Sequence, residues 1–189
     1  MQKKFLIVGL GNIGSEYAET RHNIGFKILD ALAKKHEVSF KTDKLGDRTE
    51  FKLKGRTFVM LKPSTYMNLS GKAVNYWLQK EKLELSQLLI VTDDVALDFG
   101  AIRFKRKGSD GGHNGLKSVN EVMQNQNYAR FRFGIGNEYP KGGQIDFVLG
   151  EWSLEENKAL EERLETSTKA VESFGLGGIA NTMNSFNGK

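Results

Sequence analysis

The sequence predicts an α/β fold, one domain over residues 1–189 with a mixed, mainly parallel central sheet flanked by helices. Three observations predict it. Phe5-Leu-Ile-Val-Gly9 and Leu88-Leu-Ile-Val-Thr92 are short apolar runs without a polar face, as strands buried on both sides are. Strand-like and helix-like segments alternate from end to end. No internal repeat, low-complexity tract or composition break divides the 189 residues, a length that suits one core.

In chain order, Phe5–Gly9 is the first strand, and residues 22–36 are an amphipathic helix through Ile24, Ile28, Leu29, Leu32 and Ala33. Val38–Lys41, Arg48–Leu53 and Thr57–Leu61 are strand-like, with Pro63 stopping the last. Ala73, Val74, Trp77 and Leu78 predict a helix over 69–81, and Leu88–Thr92 a second central strand. Ala101–Lys107 alternates Ile102 and Phe104 with Arg103 and Lys105, a strand with one wet face. Gly108–Gly115 is a loop, Leu116–Gln124 helical and Arg130–Phe133 a strand. Residues 137–145 are a polar, Gly-rich loop, and Asp146–Leu149 is expected to add a short strand. Ser153-Leu-Glu-Glu156 is a capping box opening a long helix that Gly175 should close, with a last short helix over Ile179–Phe186.

Composition narrows the function classes. Cysteine is absent, which removes disulfides, a thiolate nucleophile and cysteine-ligated zinc, and three histidines make a histidine-rich metal site unexpected. No signal-peptide pattern follows Met1, and no apolar run approaches the ~20 residues that span a bilayer. The expectation is a soluble cytoplasmic protein. Net charge is +5, but residues 151–189 carry four basic and seven acidic side chains, leaving +8 on residues 1–150. A basic body with an acidic tail suits a polyanion such as nucleic acid.

Gly9-Leu-Gly11-Asn-Ile-Gly14 has the spacing of a dinucleotide-binding turn. Two features oppose that use. Ser15–Arg21 is polar where the helix should open, and the ribose-binding acid expected ~20 residues on is replaced by Ala33-Lys-Lys-His36, with Glu37 the nearest acid. The glycines are read as a tight strand-end turn exposing Asn12.

Binding crevices in α/β sheets form at the carboxyl ends of strands. The polar residues there are Asn12, Tyr17 and His22; Lys62-Pro-Ser-Thr-Tyr66-Met67-Asn68; Asp93-Asp94; and Gly108-Ser-Asp-Gly-Gly-His113-Asn114-Gly115. A histidine held by an aspartate activates water near neutral pH, and asparagine amides can serve an oxyanion or position an ester without adding charge. Ser64 and Ser70 lie in no nucleophile elbow, so water attack is favoured over an acyl-enzyme. From these residues alone, a hydrolase and a protein without catalysis both stay open.

Taken together, Val8–Gly14, Tyr17–Gly25, Lys62–Gly71, Asp93 within Val91–Val95, Gly111–Lys117, Phe131–Gly136 and Phe147–Gly150 resemble the bacterial peptidyl-tRNA hydrolase family, in order and spacing, through most of the chain. The resemblance implies cleavage of the ester joining a peptide to the tRNA 3′ end, by a monomer without metal, cofactor or obligate protein partner. It implies His22 as general base and Asp93 as its stabiliser. Asn12 matches the residue distinguishing N-blocked from free aminoacyl groups, and Asn68 and Asn114 match amides near the scissile ester. Tyr17 and Tyr66 match positions along the groove for the tRNA acceptor end. Lys105 and Arg132 resemble a pair gripping a tRNA phosphate. A relative that binds RNA and has lost hydrolysis is the alternative, and retention of Asn12, His22, Asn68, Asp93 and Asn114 argues against it.

Some positions depart from the family pattern. Ile13 stands where proline is usual, which is expected to loosen the turn holding Asn12. Ala96 and Asp98 alter the segment after Asp93, and Asp110 replaces a smaller residue or histidine. His36 reads as a solvated surface residue, Asp94 as a capping or surface acid, Met67 as packing under the site and His113 as shaping its loop. The helix from Ser153 reads as a solvated face over a core stripe, with a lid over the groove as the other possibility.

Overall fold

In the computed structural model, which describes residues 3–189, strict alternation along β1 (Lys4–Gly9) sends Phe5 and Ile7 to one face of the sheet and Leu6 and Val8 to the other. A strand covered on both faces must be apolar throughout, which is why the run lacks a polar side. The chain continues through α1 (Ile24–Lys35), β2 (Lys41–Asp43), β3 (Gly46–Leu53), β4 (Arg56–Pro63), α2 (Ser70–Lys80) and β5 (Leu88–Asp94). It ends with β6 (Ile102–Lys105), α3 (Asn114–Met123), β7 (Ala129–Gly134), α4 (Gln144–Val148) and α5 (Leu154–Phe186).

The seven strands form one sheet in the order β2-β3-β4-β1-β5-β7-β6. β4, β1, β5 and β7 run parallel at its centre, while β2, β3 and β6 pair antiparallel at the edges. Phe58, Met60, Leu89 and Val91 join Phe5 and Ile7 under α1 and α5. Val59, Leu61, Leu88 and Ile90 join Leu6 and Val8 under α2 and α3. Each fully buried large apolar side chain contributes about 1.5–3 kcal/mol, so these two layers dominate the stability.

Local details correct the sequence expectations in four places. The edge strand begins at Lys41, not Val38, because Val38 and Phe40 pack on the core while Lys41–Asp43 form the hairpin with β3. Asp146–Leu149 is helical, not extended, and its apolar residues Phe147 and Val148 pack sideways on the core. Gly175 does not end the long helix. A Cβ there would sit 2.3 Å from the Phe58 ring, so Gly175 lets the helix cross the sheet closely, and the break falls at Gly178, whose φ is +85°. Finally, His36 is not simply solvated: it stacks on Phe51 at 3.9 Å between centroids, and its Nε2 lies 2.6 Å from Glu172 on α5. The aromatic partner comes from β3 and the carboxylate from α5, both distant in sequence from the end of α1.

The first glycine turn has a packing role. A Cβ on Gly9 would lie 2.3 Å from the carbonyl oxygen of Gly25, and one on Gly25 would lie 2.7 Å from the Val91 carbonyl oxygen. The start of α1 therefore presses directly on the carboxyl ends of β1 and β5.

Candidate active site

That close crossing places the Arg21–Asn23 turn, which leads into α1, beside the end of β5. His22 Nδ1 lies 2.9 Å from Asp93 Oδ2. A buried carboxylate only accepts, so Nδ1 carries the hydrogen and donates, and Nε2 keeps its lone pair. No described residue bonds Nε2, and the ring borders a cavity of about 130 Å³ at the carboxyl ends of the strands. Burial alone would push the imidazole's pKa down, but the charge and hydrogen bond of Asp93 outweigh it and the net shift is upward. Burial would likewise raise the Asp93 carboxyl, and the two imidazoles beside it reverse this, holding it well below the usual carboxylate range.

The second imidazole is His113, whose Nε2 lies 2.8 Å from Asp93 Oδ1 and 2.6 Å from Thr92 Oγ1. His113 is the N-cap of α3, and its Nδ1 accepts from the amides of Gly115 (3.0 Å) and Leu116 (3.4 Å). An Nδ1 that accepts has no hydrogen, so the hydrogen sits on Nε2 and points at Asp93. Asp93 is thus pinned at both oxygens. His22, Asp93 and His113 bring three donor atoms within 4.8 Å of one another. A metal needs a lone pair on His113 Nε2, and the cap on Nδ1 denies it one, so the donor set does not fit a metal centre. Sequence reasoning gave His113 only a loop-shaping role. A histidine one residue before a helix, three after the loop's aspartate, was the available signal.

Asn12 is held more firmly than its Ile13 neighbour suggested. Buried Asn23 accepts from the Asn12 amide and donates to its carbonyl, each at 2.8 Å. Ile13 is half exposed and the turn keeps its shape without proline. Asn23 is a site residue that sequence reasoning missed, although it follows His22 directly. The altered segment after Asp93 is equally fixed: Asp94 Oδ1 accepts from the Ala96 amide at 2.8 Å, and Leu97 accepts from Gly136 at 2.9 Å. Asp94 is a capping acid, as expected.

The predicted site residues fall into neighbouring groups. His22, Asp93, Asn114 and Arg132 line the first cavity. Asn12, Tyr17 and Tyr66 line a second of about 420 Å³, with Tyr66 77% exposed. Helix α4 stands between them, giving Ile145 and Val148 to the first and Leu149 to the second. The start of α5 lines neither of these two cavities, and α5 packs on α1 and β6. Asn68 is exposed and lines neither cavity. It belongs to the Met67–Leu69 turn, whose buried Met67 sulfur lies 2.8 Å from a Cβ built on Gly115, next to Asn114.

Lys105 lies on β6, where it faces Arg130 across the antiparallel pair, with Arg103 facing Arg132. Period-two alternation puts all four cations on one face, so Lys105 and Arg132 do reach the same side. Their mutual repulsion bears on the Lys105 amine, which Arg132 above all holds below its usual pKa. A phosphate would relieve that repulsion.

Comparison with known proteins places the chain in a family. The peptidyl-tRNA hydrolase family model matches residues 6–189. A peptidyl-tRNA hydrolase of Bacteroides fragilis is 59% identical over 186 residues, 98% of this chain and all of that one. Another, of Phocaeicola vulgatus, is 56% identical over the same shares. The crystal structure of peptidyl-tRNA hydrolase from Acinetobacter baumannii superposes with a TM-score of 0.91 at 33% identity, covering 99% of this chain and 97% of that one. On both sequence and fold, the chain belongs to the peptidyl-tRNA hydrolase family.

Proposed function

We propose that this protein hydrolyses the ester between a peptide and the 3′ end of its tRNA, with His22 as the general base. The observation that carries the reading is the His22–Asp93 contact of 2.9 Å, which leaves Nε2 as the ring's lone-pair nitrogen at the cavity. A water on Nε2 gives up a proton as its oxygen attacks the ester carbonyl. The imidazolium then returns that proton to the departing ribose oxygen, releasing tRNA and a peptide carboxylic acid that ionises by losing its proton to water. Asp93 keeps the proton on Nδ1 and offsets the transient positive charge.

Asn12 discriminates the N-blocked amine, and the amides of Asn68 and Asn114 bind around the ester and its developing oxyanion. Tyr17 and Tyr66 offer faces on which acceptor-end nucleotides stack. Lys105 and Arg132 grip a tRNA phosphate. The chain acts as one domain and a monomer in the cytoplasm, without metal, cofactor or obligate protein partner. Among the described residues no helix is long and apolar enough to cross a membrane.

The test is a gel assay comparing N-acetyl-aminoacyl-tRNA with free aminoacyl-tRNA. Wild type should release tRNA from the blocked ester and spare the free one. His22→Ala should lose turnover while keeping fold and tRNA affinity. Near-wild-type turnover in that variant rejects the mechanism, and binding of the blocked substrate by wild type without release leaves an RNA-binding module instead.

A further inference from the structure

Arg130 is an unusual side chain for the centre of a basic face. It is 0% exposed, and no carboxylate pairs with it among the described residues. Its guanidinium lies 4.3 Å from the centre of the Tyr128 ring. Its Nη1 donates to the Ser109 carbonyl at 3.2 Å and its Nη2 to the Gln126 carbonyl at 2.8 Å, while Nε has no partner. Burying a cation without an anion is costly, and an apolar side chain of similar length would cost less. Burial, and to a lesser degree Arg132, accordingly hold its pKa below the usual guanidinium value, opposed by Tyr128. Packing alone therefore does not account for an arginine here. What a planar fork adds is two directed donors at fixed separation.

One of those donors, Nη1, ends on the loop that leads to the site, while Nη2 ends on Gln126 just ahead of β7. Arg132 Nη2 donates to the same Ser109 carbonyl at 3.2 Å, while its Nη1 lies 3.5 Å from Asp94 Oδ2. Elsewhere in the loop the bonds are internal: Asp110 Oδ1 accepts from the Gly112 amide at 2.8 Å, and its carbonyl accepts from His113 at 3.0 Å. Gly111 and Gly112 both have positive φ, so the segment is a tight turn hung between Ser109 and the start of α3. Among the described residues, the Ser109 carbonyl is where this loop is tied to the sheet ahead of His113.

We propose that Arg130 is a positioning residue of the ester-cleaving site: its buried fork fixes the loop at Ser109 and so sets where His113 meets Asp93 and where Asn114 borders the cavity. Arg132 shares the acceptor, which makes Ser109 the joint between the phosphate-gripping strand and the catalytic loop. The inference rests on the hydrolase reading above, and it assigns Arg130 no contact with tRNA.

The experiment uses the full chain and two substrates: N-acetyl-aminoacyl-tRNA, and a short N-acetyl-aminoacyl nucleotide ester with no tRNA body. Arg130→Met removes the fork at similar length. Arg130→Lys keeps the charge, and carries the test if the methionine variant does not fold. In a folded variant kcat should fall about 10- to 100-fold on both substrates, the cost of a catalytic group misplaced by about an ångström, with KM changed less than about threefold. Amide exchange at Gly111–Asn114 should quicken beyond any change in β7. Unchanged kcat and exchange overturn the proposal, as does a loss confined to KM for the tRNA substrate, which would make Arg130 a phosphate contact. A wild type inactive on both esters overturns the hydrolase reading itself, whereas an active wild type with fully active variants overturns only this one.

Discussion

Asn23 grips both peptide groups of Asn12, accepting from its amide and donating to its carbonyl at 2.8 Å each. Asn23 also follows the general base directly and precedes α1, so one short turn sets the positions of His22 and Asn12 together. With the roles proposed for Asn12 and His22, selection of the blocked amine and activation of water would be mechanically joined there.

Asn23→Ala should therefore do two things. Leaving the buried partners of the amide unpaired costs about 1–3 kcal/mol, read by chemical denaturation. The ratio of cleavage rates on N-acetyl-aminoacyl-tRNA and free aminoacyl-tRNA should also fall towards unity. A destabilised variant with full discrimination would separate Asn12 from the selectivity assigned to it.

The His22 imidazole is raised above its ordinary 6.5 by Asp93 despite burial, and the base must be neutral to work. Wild-type kcat/KM should thus rise with pH through a limb above 6.5. In Asp93→Asn the anion is gone while burial remains, so the limb should move to lower pH as the plateau rate drops about 10²-fold. A limb that stays in place would show that Asp93 does not tune His22.

The same shifts enter stability. His22 has a folded pKa above its unfolded one, so its contribution is complete below pH 6.5 and disappears as pH rises through the folded value. Asp93 has a depressed folded pKa, so its contribution is present above pH 3.8 and is lost as pH falls through the folded value. Subtracting the denaturation free energy of His22→Ala from that of wild type should leave a difference that shrinks as pH rises above 6.5.

His113 both caps α3 and donates to Asp93. Asparagine caps helices well but cannot also reach Asp93 from the cap, so His113→Asn should keep thermal stability near wild type and lower kcat. His113→Ala loses the cap as well, at about 0.5–2 kcal/mol. Equal kcat in wild type and His113→Asn would reduce the histidine to its capping role. Chelators should leave wild-type turnover unchanged, since the cap withholds the lone pair a metal would need.

Gly9→Ala tests the crossing that assembles the site. The added methyl would lie 2.3 Å from the Gly25 carbonyl oxygen, and backbone there cannot yield as a flexible side chain can. The variant should lose several kcal/mol of stability or fail to fold, at a position where alanine is otherwise the mildest substitution, and Gly9→Ala with an unchanged melting temperature would contradict the close packing of α1 on β1.

Much of this molecule was legible without coordinates, because period and polarity are local. The apolar runs Phe5–Gly9 and Leu88–Thr92 announced central strands, the alternation of Ala101–Lys107 a strand with one wet face, and Ser153–Glu156 the start of the last long helix. Where prediction failed, distant partners decided. Asp146–Leu149 has only a few residues, and whether they coil or extend depended on the core against which Phe147 and Val148 pack. Gly175 resembled a helix end until Phe58 took the space beside it.

The residue types and spacings of the family motifs determined which chemistry to look for, and named His22, Asp93 and the asparagines. Only the tertiary structure decided that His113 donates to Asp93, that Asn23 braces Asn12, and that Arg130 and Arg132 meet at Ser109. The physical reason is that a hydrogen-bonding role belongs to a pair of atoms in space. A tautomer or a buried charge takes its meaning from what the fold sets within about 3 Å, and linear order carries no such distance.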